Sequence, residues 1–353
     1  MKTDTYAPTA YRPDRIPRQQ PSTERSWLGK FAKMRLPWGN TQELAPASFF
    51  HQDSPEKLRF REQVEREDAE RKALGTYEPR ITETVDFHYV YDHQRHRFAQ
   101  LSLAGRFWPG LYTFGKWGFI ILILPTLFAH VVAVASLNKP WLEVTKAAFV
   151  DVYSWFFGIP LSMWAIGGLV VHKLPKLWVK PSRGPLWEFN RQTGMVTVFD
   201  YDNNGEYKKN GTIGELTAPF HEFDAYLSSS PDRQGLPMNV LHLAHRYRDI
   251  HFSLAPLLHQ SDDANEHFAL WDYLQNYMDV SRPLPDIPYL EQYRHLDPTT
   301  AEHDQRTGRD PRYWVDMDDT TFKAKVDDIL TGIRRIDTLR RPNLMAQYCQ
   351  YID

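Results

Sequence analysis

Only one cysteine, Cys349, stands in the 353 residues. A disulfide framework or a four-cysteine zinc site within one chain is therefore excluded. Positive charge is not in excess either. The formal net charge is −2, and no basic face clusters as a nucleic-acid binder's would, so no nucleic-acid partner is expected. The opening stretch MKTDTYAPTAYRPDRIPRQQPSTERS has no apolar segment of the kind a cleavable secretory signal needs. Any membrane insertion would then have to start from a later helix. No Ser-His-Asp set, paired carboxylates at helical spacing, phosphate-binding glycine loop or P-loop can be read. No catalytic residue, metal or cofactor is assigned on these grounds.

What is present is unevenly spread. Charged residues make up 24% of the chain and prolines number 25, so the average composition is that of a water-soluble protein. The apolar residues, however, are bunched. Residues 117–137 and 152–171 contain no Asp, Glu, Lys or Arg, and a helix of about 20 residues crosses the roughly 30 Å of a bilayer core. Pro125 and Pro160 sit within these runs, which membrane helices tolerate better than soluble ones. Trp117, Trp141, Trp155 and Trp178 fall where interfacial aromatic residues belong. The expectation is a two-helix transmembrane hairpin in a bacterial inner membrane. Its 138–151 loop holds only Lys139 and Lys146, whereas Arg95, Arg97, Arg106, Lys116, Lys173, Lys176, Lys180, Arg183 and Arg191 flank its outer ends. That asymmetry places both termini in the cytoplasm. His130, the one strongly polar side chain in the runs, is expected to bond to the other helix, and Gly167 and Gly168 to let the helices approach closely.

Before the hairpin, residues 1–25 are polar and proline-rich and are expected to be disordered. Residues 26–116 are expected to form a cytosolic, helical, juxtamembrane segment. Within it, residues 26–38 place Trp27, Leu28, Phe31 and Met34 on one helical face with basic residues elsewhere, suited to a membrane surface or to packing on the body. Ser54-Pro55 and Gly75 bracket a charged, solvated helix, and residues 84–91 alternate as a strand does. His88, His93 and His96 lack a recognised metal-ligand spacing.

After the hairpin, residues 184–280 change to short strands and turns. Strands are expected at 186–190, 195–199, 206–209, 213–217, 222–228, 237–245 and 249–254, followed by a helix capped by Ser261. On that helix Ala264, Phe268, Trp271, Leu274 and Met278 share a face. Asp200-Tyr-Asp-Asn-Asn-Gly205 opens like a calcium loop, but Gly211 stands where the closing Glu belongs. Asn210-Gly-Thr has the form of a glycosylation sequon. His242 and His245 fall on opposite faces of a regular strand and cannot share a metal. With the phrase Trp187-Glu-Phe-Asn-Arg-Gln-Thr-Gly-Met-Val-Thr-Val-Phe199, residues 105–280 resemble bacterial membrane families in which a two-helix hairpin leads into a pleckstrin-homology-like (PH-like) antiparallel barrel capped by a helix. The fold class implied is a membrane hairpin plus an α+β cytosolic domain with helical extensions.

Residues 281–353 form a C-terminal extension. Its first part, 282–318, is rich in proline and acids and reads as extended. An amphipathic helix at 319–336 then carries Phe322, Val326, Ile329, Ile333 and Ile336 at heptad spacing. This seam is the candidate interaction surface. It docks on the same chain, on a second copy or on a partner. The stretch from Leu284 to the tail is similar to uncharacterised proteins of Gram-negative bacteria associated with type VI secretion. That resemblance implies an immunity or accessory role: a membrane-anchored, non-enzymatic module that binds a toxin or secretion component. The alternative is a membrane-tethered enzyme acting on lipid or nucleotide.

Overall fold

Runs of alternating and β-branched residues become two antiparallel sheets in the computed structural model, which describes residues 6–22, 34–137, 139–201 and 214–351. One sheet runs β1 (Met34–Arg35), β7 (Phe223–Pro231), β8 (Pro237–His245) and β9 (His251–Ser253). The other runs β2 (Val90–Tyr91), β3 (Arg95–Ala99), β4 (Pro185–Asn190), β5 (Met195–Asp200) and β6 (Gly214–Pro219). The chain changes sheet through the short 3-10 turn Phe220–Glu222. In the β4–β5 hairpin Trp187 lies opposite Val198 and Phe189 opposite Val196. Gly194 ends that turn at φ +71°, and a Cβ there would stand 2.5 Å from the Thr9 carbonyl oxygen. Glycine is needed on both counts.

By contacts the chain divides into a body, Met1–Tyr77, Tyr89–Phe98 and Leu186–Asp353, and a second unit, Glu78–His88 and Ala99–Pro185. This redraws three expected boundaries. Residues 34–77 and 89–98 do not form a separate juxtamembrane segment, because they belong to the body, whose sheets β1, β2 and most of β3 complete. Residues 281–351 are not an appendage to it. The expected barrel of 184–280 is found as two sheets, each completed by strands from upstream of the apolar runs. Nor are residues 6–22 disordered. Tyr11 and Ile16 are buried, with the Tyr11 ring 5.2 Å from Phe220, and the Gln19 and Ser22 amides donate to the carbonyls of Tyr348 (2.7 Å) and Gln350 (2.9 Å). Large aromatic side chains spaced among the prolines give this strap enough to bury. The proposed surface helix at 26–38 falls partly on residues 23–33, outside the described residues. Its end is strand and core, for Leu36 and Trp38 are fully buried. The strand at 206–209, the calcium loop beyond Tyr201 and the sequon also lie outside the described residues.

The centre of the body is the closing helix Ala264–Met278, in which every residue from His267 to Met278 is buried. Its cap is Asp263, which accepts from the Asn265 amide (2.9 Å), not Ser261. The apolar face packs as expected, with Trp271 edge-on to Trp38 at 4.8 Å. The polar face is covered too. Asp272 accepts from the Gln42 amide (2.9 Å) and from the guanidinium of Arg341, Gln275 accepts from the Gly39 amide (2.8 Å), and Asn276 donates to the Gln42 carbonyl (3.0 Å). At the C-terminal end, Arg191 is fully buried and donates to the carbonyls of Tyr277 (2.5 Å), Asp279 (2.8 Å) and Arg282 (2.8 Å) and to Asp297 (3.0 Å). A cation here opposes the negative end of the helix dipole.

Residues 282–318 are not extended. Asp297 caps a helix, Pro298–Thr307, that ends at Gly308 in the left-handed region, and Pro288–Leu296 is a 3-10 stretch. The Asp-Pro start and Gly stop were signals of that helix.

In the second unit Ser102 caps one helix, Leu103–Ser136, that is long and apolar enough to cross a membrane on its own. The second apolar run is a bent pair, Trp141–Phe156 and Gly158–Lys173, turned by 42° at the break. The five-residue π-turn Phe149–Tyr153 lies in its first half. A Cβ on Gly115 would collide with the Trp164 backbone, and one on Gly167 would lie 2.6 Å from the Tyr112 nitrogen. His130 faces Thr145 (3.2 Å).

Two predictions follow from this packing. Gly115→Leu should separate the two helices and lower the thermal stability of the detergent-solubilised protein, whereas Gly110→Leu, with open space around its Cβ position, should not. At the core, burial alone would push the Asp297 carboxyl up, but the Arg191 guanidinium and hydrogen bonds from Thr300 and Tyr6 more than offset it and hold it below the usual range. The resulting stability is present above the ordinary aspartate pKa of about 4 and is lost as pH falls through the lower folded value. Asp297→Asn should therefore melt early at neutral pH, by the roughly 3–5 kcal/mol typical of a broken buried pair, and its deficit should shrink in acid.

Candidate functional site

The heptad helix forms over Asp319–Arg334. Asp318 starts it by accepting from the amides of Thr320 and Thr321, both at 3.0 Å. Those bonds favour the carboxylate, and the Asp318 pKa is lowered, mainly by the Thr321 side chain. Val326, Ile333 and Ile336 are buried. Phe322 and Ile329 are half-buried against the same core, with Phe322 edge-on to Trp314 at 6.1 Å. Of the three outcomes expected for the five seam residues, packing on their own chain is the one found. Phe322 meets Trp314 of the preceding stretch, and the helix packs on Ala47–Gln52 and on the closing helix Ala264–Met278.

The helix also forms one wall of a cavity in the body, about 550 Å³ in volume. Ile329 lies at its side, Leu44 and Leu284 opposite, and Lys325 and Arg335 at exposed positions. Leu44 packs against Gly332, where a Cβ would stand 2.9 Å away. Arg282, Arg294 and Arg309 add cations, and Glu43, Asp286 and Asp328 add carboxylates. Two of the arginines are committed to the fold. Arg294 forks onto Asp304 with two 2.7 Å bonds. Burial alone would raise that carboxyl, and the fork more than offsets it, leaving the pKa below normal. Arg309 donates to Asp286 (2.8 Å) and Glu291 (2.7 Å). Burial keeps the Glu291 carboxyl above its ordinary pKa despite that partner. Lys325 and Arg335, by contrast, form no ion pair among the described residues. The rim therefore keeps cationic groups in contact with solvent.

No protein-family model matches the chain, and no curated protein or solved structure proves similar to it.

The histidines flagged in the sequence do not converge. His88 falls in the second unit and bonds to Asp86, His93 stacks on Tyr293, and His96 is buried beside Trp187. His245 accepts at Nδ1 from the amides of Tyr247 (2.9 Å) and Arg248 (3.0 Å), so its Nε2 carries the proton and donates to Glu222 (2.8 Å). His242 is half-buried on the same strand, and burial and the neighbouring His251 lower its pKa. Among the described residues no group of three or more His, Cys, Asp or Glu could hold a metal ion. The cleft itself was missed in the sequence because its walls come from residues 43–45, 282–309 and 325–335, and only the alternation of Arg and Asp between 282 and 310 hinted at it.

Ile333→Asp would bury a carboxylate with no partner and should destabilise the protein by several kcal/mol, about the cost of burying such a group. Lys325→Glu, on the exposed side of the same helix, should change stability by no more than about 0.5 kcal/mol. Chemical denaturation of both variants checks the pair, and equal effects would mean that the seam is not core.

Proposed function

We propose that the chain is a membrane-anchored protein-binding module. The observation that carries the anchor is the outside of the second unit. Phe114 (71% exposed), Leu124 (76%) and Phe128 (73%) on the long helix and Trp155 (66%) on the bent run all point away from protein. Contiguous apolar surface of this kind is unstable in water and natural in lipid. Together with the length and hydropathy of the Leu103–Ser136 helix, it supports a hairpin in which the bent pair is the returning span. The basic residues that flank the two runs support cytoplasmic termini in a bacterial inner membrane.

The body then faces the cytoplasm, and its cleft suits an acidic segment of a protein partner: apolar at Ile329 and Leu284, cationic at Lys325 and Arg335. Within the cleft, Arg294 and Arg309 are held in ion pairs by Asp304, Asp286 and Glu291, which leaves the cations of the rim to meet a partner. An immunity or accessory role, with a toxin or secretion component as the partner, rests on the resemblance read in the sequence from Leu284 to the tail.

Reporter fusions after residues 145 and 353 should give opposite topology signals, and identical signals would remove the hairpin. Lys325→Glu with Arg335→Glu should leave membrane localisation intact and abolish co-purification of the wild-type protein's partner. Retention of the same partner would move the binding site elsewhere.

A further inference from the structure

The two uncharged runs of the second unit do not lie side by side. Tyr112 meets Gly167, Gly115 meets the Trp164 backbone, and Gly118 lies beside Pro160. Further along, the Phe119 ring meets that of Phe157 at 5.6 Å and the His130 ring that of Tyr153 at 5.7 Å, with Thr145 3.2 Å from its Nε2. Residues 117–137 therefore run alongside residues 141–160, not alongside 152–171. Glu143, Lys146 and Asp151 are thus set beside the far half of the long helix, where Phe128 (73% exposed) and Val131 (64%) face outward. At 1.5 Å per residue this 34-residue helix is about 51 Å long, against roughly 30 Å of bilayer core. A core that takes in all of 117–137 also takes in Lys146 and Asp151. One set closer to the chain's ends leaves Phe128 and Val131 outside.

The charged side chains share one face. Val144, Thr145, Ala148 and Tyr153 are buried or half-buried on the side of the long helix. Glu143, Lys146, Val150, Asp151 and Trp155 recur at helical spacing on the other side, and all are exposed. Glu143, Lys146 and Asp151 form no ion pair among the described residues. No medium suits this stripe. Hydrocarbon rejects its charges, which in membrane segments pair with one another within protein. Water rejects Val150 and Trp155 together with Phe128 and Val131 beside them. The headgroup layer, about 5–8 Å on each side, is too thin for a stripe about 18 Å long. Protein must cover it, and its own charges specify which. About a two-fold axis along the membrane normal, equal residues of two copies lie at equal depth. Lys146 of one copy is then offset from Glu143 and Asp151 of the other by rises of about 4.5 Å and 7.5 Å, one to each side, within the reach of a lysine side chain. Acid, base and acid along one stripe are thereby self-complementary.

We propose that two copies of the chain pair in the membrane through this stripe, with Lys146 of each bonding to Asp151 of the other and Val150 packing at the axis. The pairing rests on the membrane hairpin proposed for the second unit and is separate from the cleft of the body. It gives both media what they require: the charges are withdrawn from lipid, and the apolar side chains between them are withdrawn from water.

Val150→Cys in the full chain, oxidised in native membranes, should form a disulfide-linked dimer. Leu124→Cys, at a position 76% exposed on the long helix, should not, and the unsubstituted chain, whose lone Cys349 is buried, gives the blank. In the Val150→Cys chain, Lys146→Asp or Asp151→Lys alone should cut the linked fraction at least about tenfold, because like charges then face each other. The two changes together should restore most of it. Equal linkage at Val150 and Leu124, linkage that survives either single change, or a swap that restores nothing each overturns the pairing. Should the charge variants fail to reach the membrane, the unsubstituted chain in mild detergent decides by light scattering: two chains per micelle are expected, and one chain overturns the pairing. Identical topology signals from the fusions after residues 145 and 353 would remove the hairpin and the pairing with it. Opposite signals with one chain per micelle would remove the pairing alone.

Discussion

A helix surrounded by protein on every side must find partners within the protein for each polar side chain it carries. That constraint governs the body. The closing helix Ala264–Met278 carries Asp272, Gln275 and Asn276 on the side away from the apolar core, and no water reaches them. The segment from Leu36 to Ala47 is laid along that side and supplies amides and carbonyls to all three. Arg341 reaches in from the C-terminal stretch to pair with Asp272, and Arg191 caps the last turn from the β4–β5 hairpin. Segments from the two ends of the chain are thereby held on one helix. The clasp of the 6–22 strap against residues 348–350 extends the same arrangement.

The consequence for topology is that the apolar unit is an insertion. β3 and β4 are neighbours in one sheet, yet the apolar runs intervene between them in sequence. The body cannot complete that sheet until the chain has returned from the second unit. In the membrane reading, both ends of the insertion must then lie on one side of the bilayer, which a hairpin satisfies and a single span does not. Gly115 and Gly167 serve this return by letting backbone meet backbone between the long helix and Gly158–Lys173.

Two cavities of the body differ in what their walls have left to offer. In the larger one, the arginines nearest the core are committed to carboxylates, and the remaining positive charge sits at the rim, where exposed ion pairs are weak but long-range steering is effective. In the smaller one, about 280 Å³ and walled by the rings of Phe49, Tyr89, Tyr91, Phe98 and Tyr289, charge is cancelled, since Asp53 pairs with Arg61.

Much of the local structure was legible in the residues. The two uncharged runs, the hairpin around Gly194, strands β7 to β9, the charged helix after Ser54-Pro55 and the heptad helix after Asp318 all follow from short-range periodicity and capping. Those are properties of contiguous sequence. What tertiary structure alone decided was the partner of each face. The seam of Phe322, Val326, Ile329, Ile333 and Ile336 was visible as apolar, but an apolar face does not say which surface will cover it, and here it is the chain's own core. Trp38 ended a helix expected on a membrane surface or against the body, and it became core strand-side packing because its neighbours Trp271 and Phe220 lie far along the chain. His96 read as one of three similar histidines. Its burial exists only where β3 is brought against Trp187 of β4, across the whole length of the insertion.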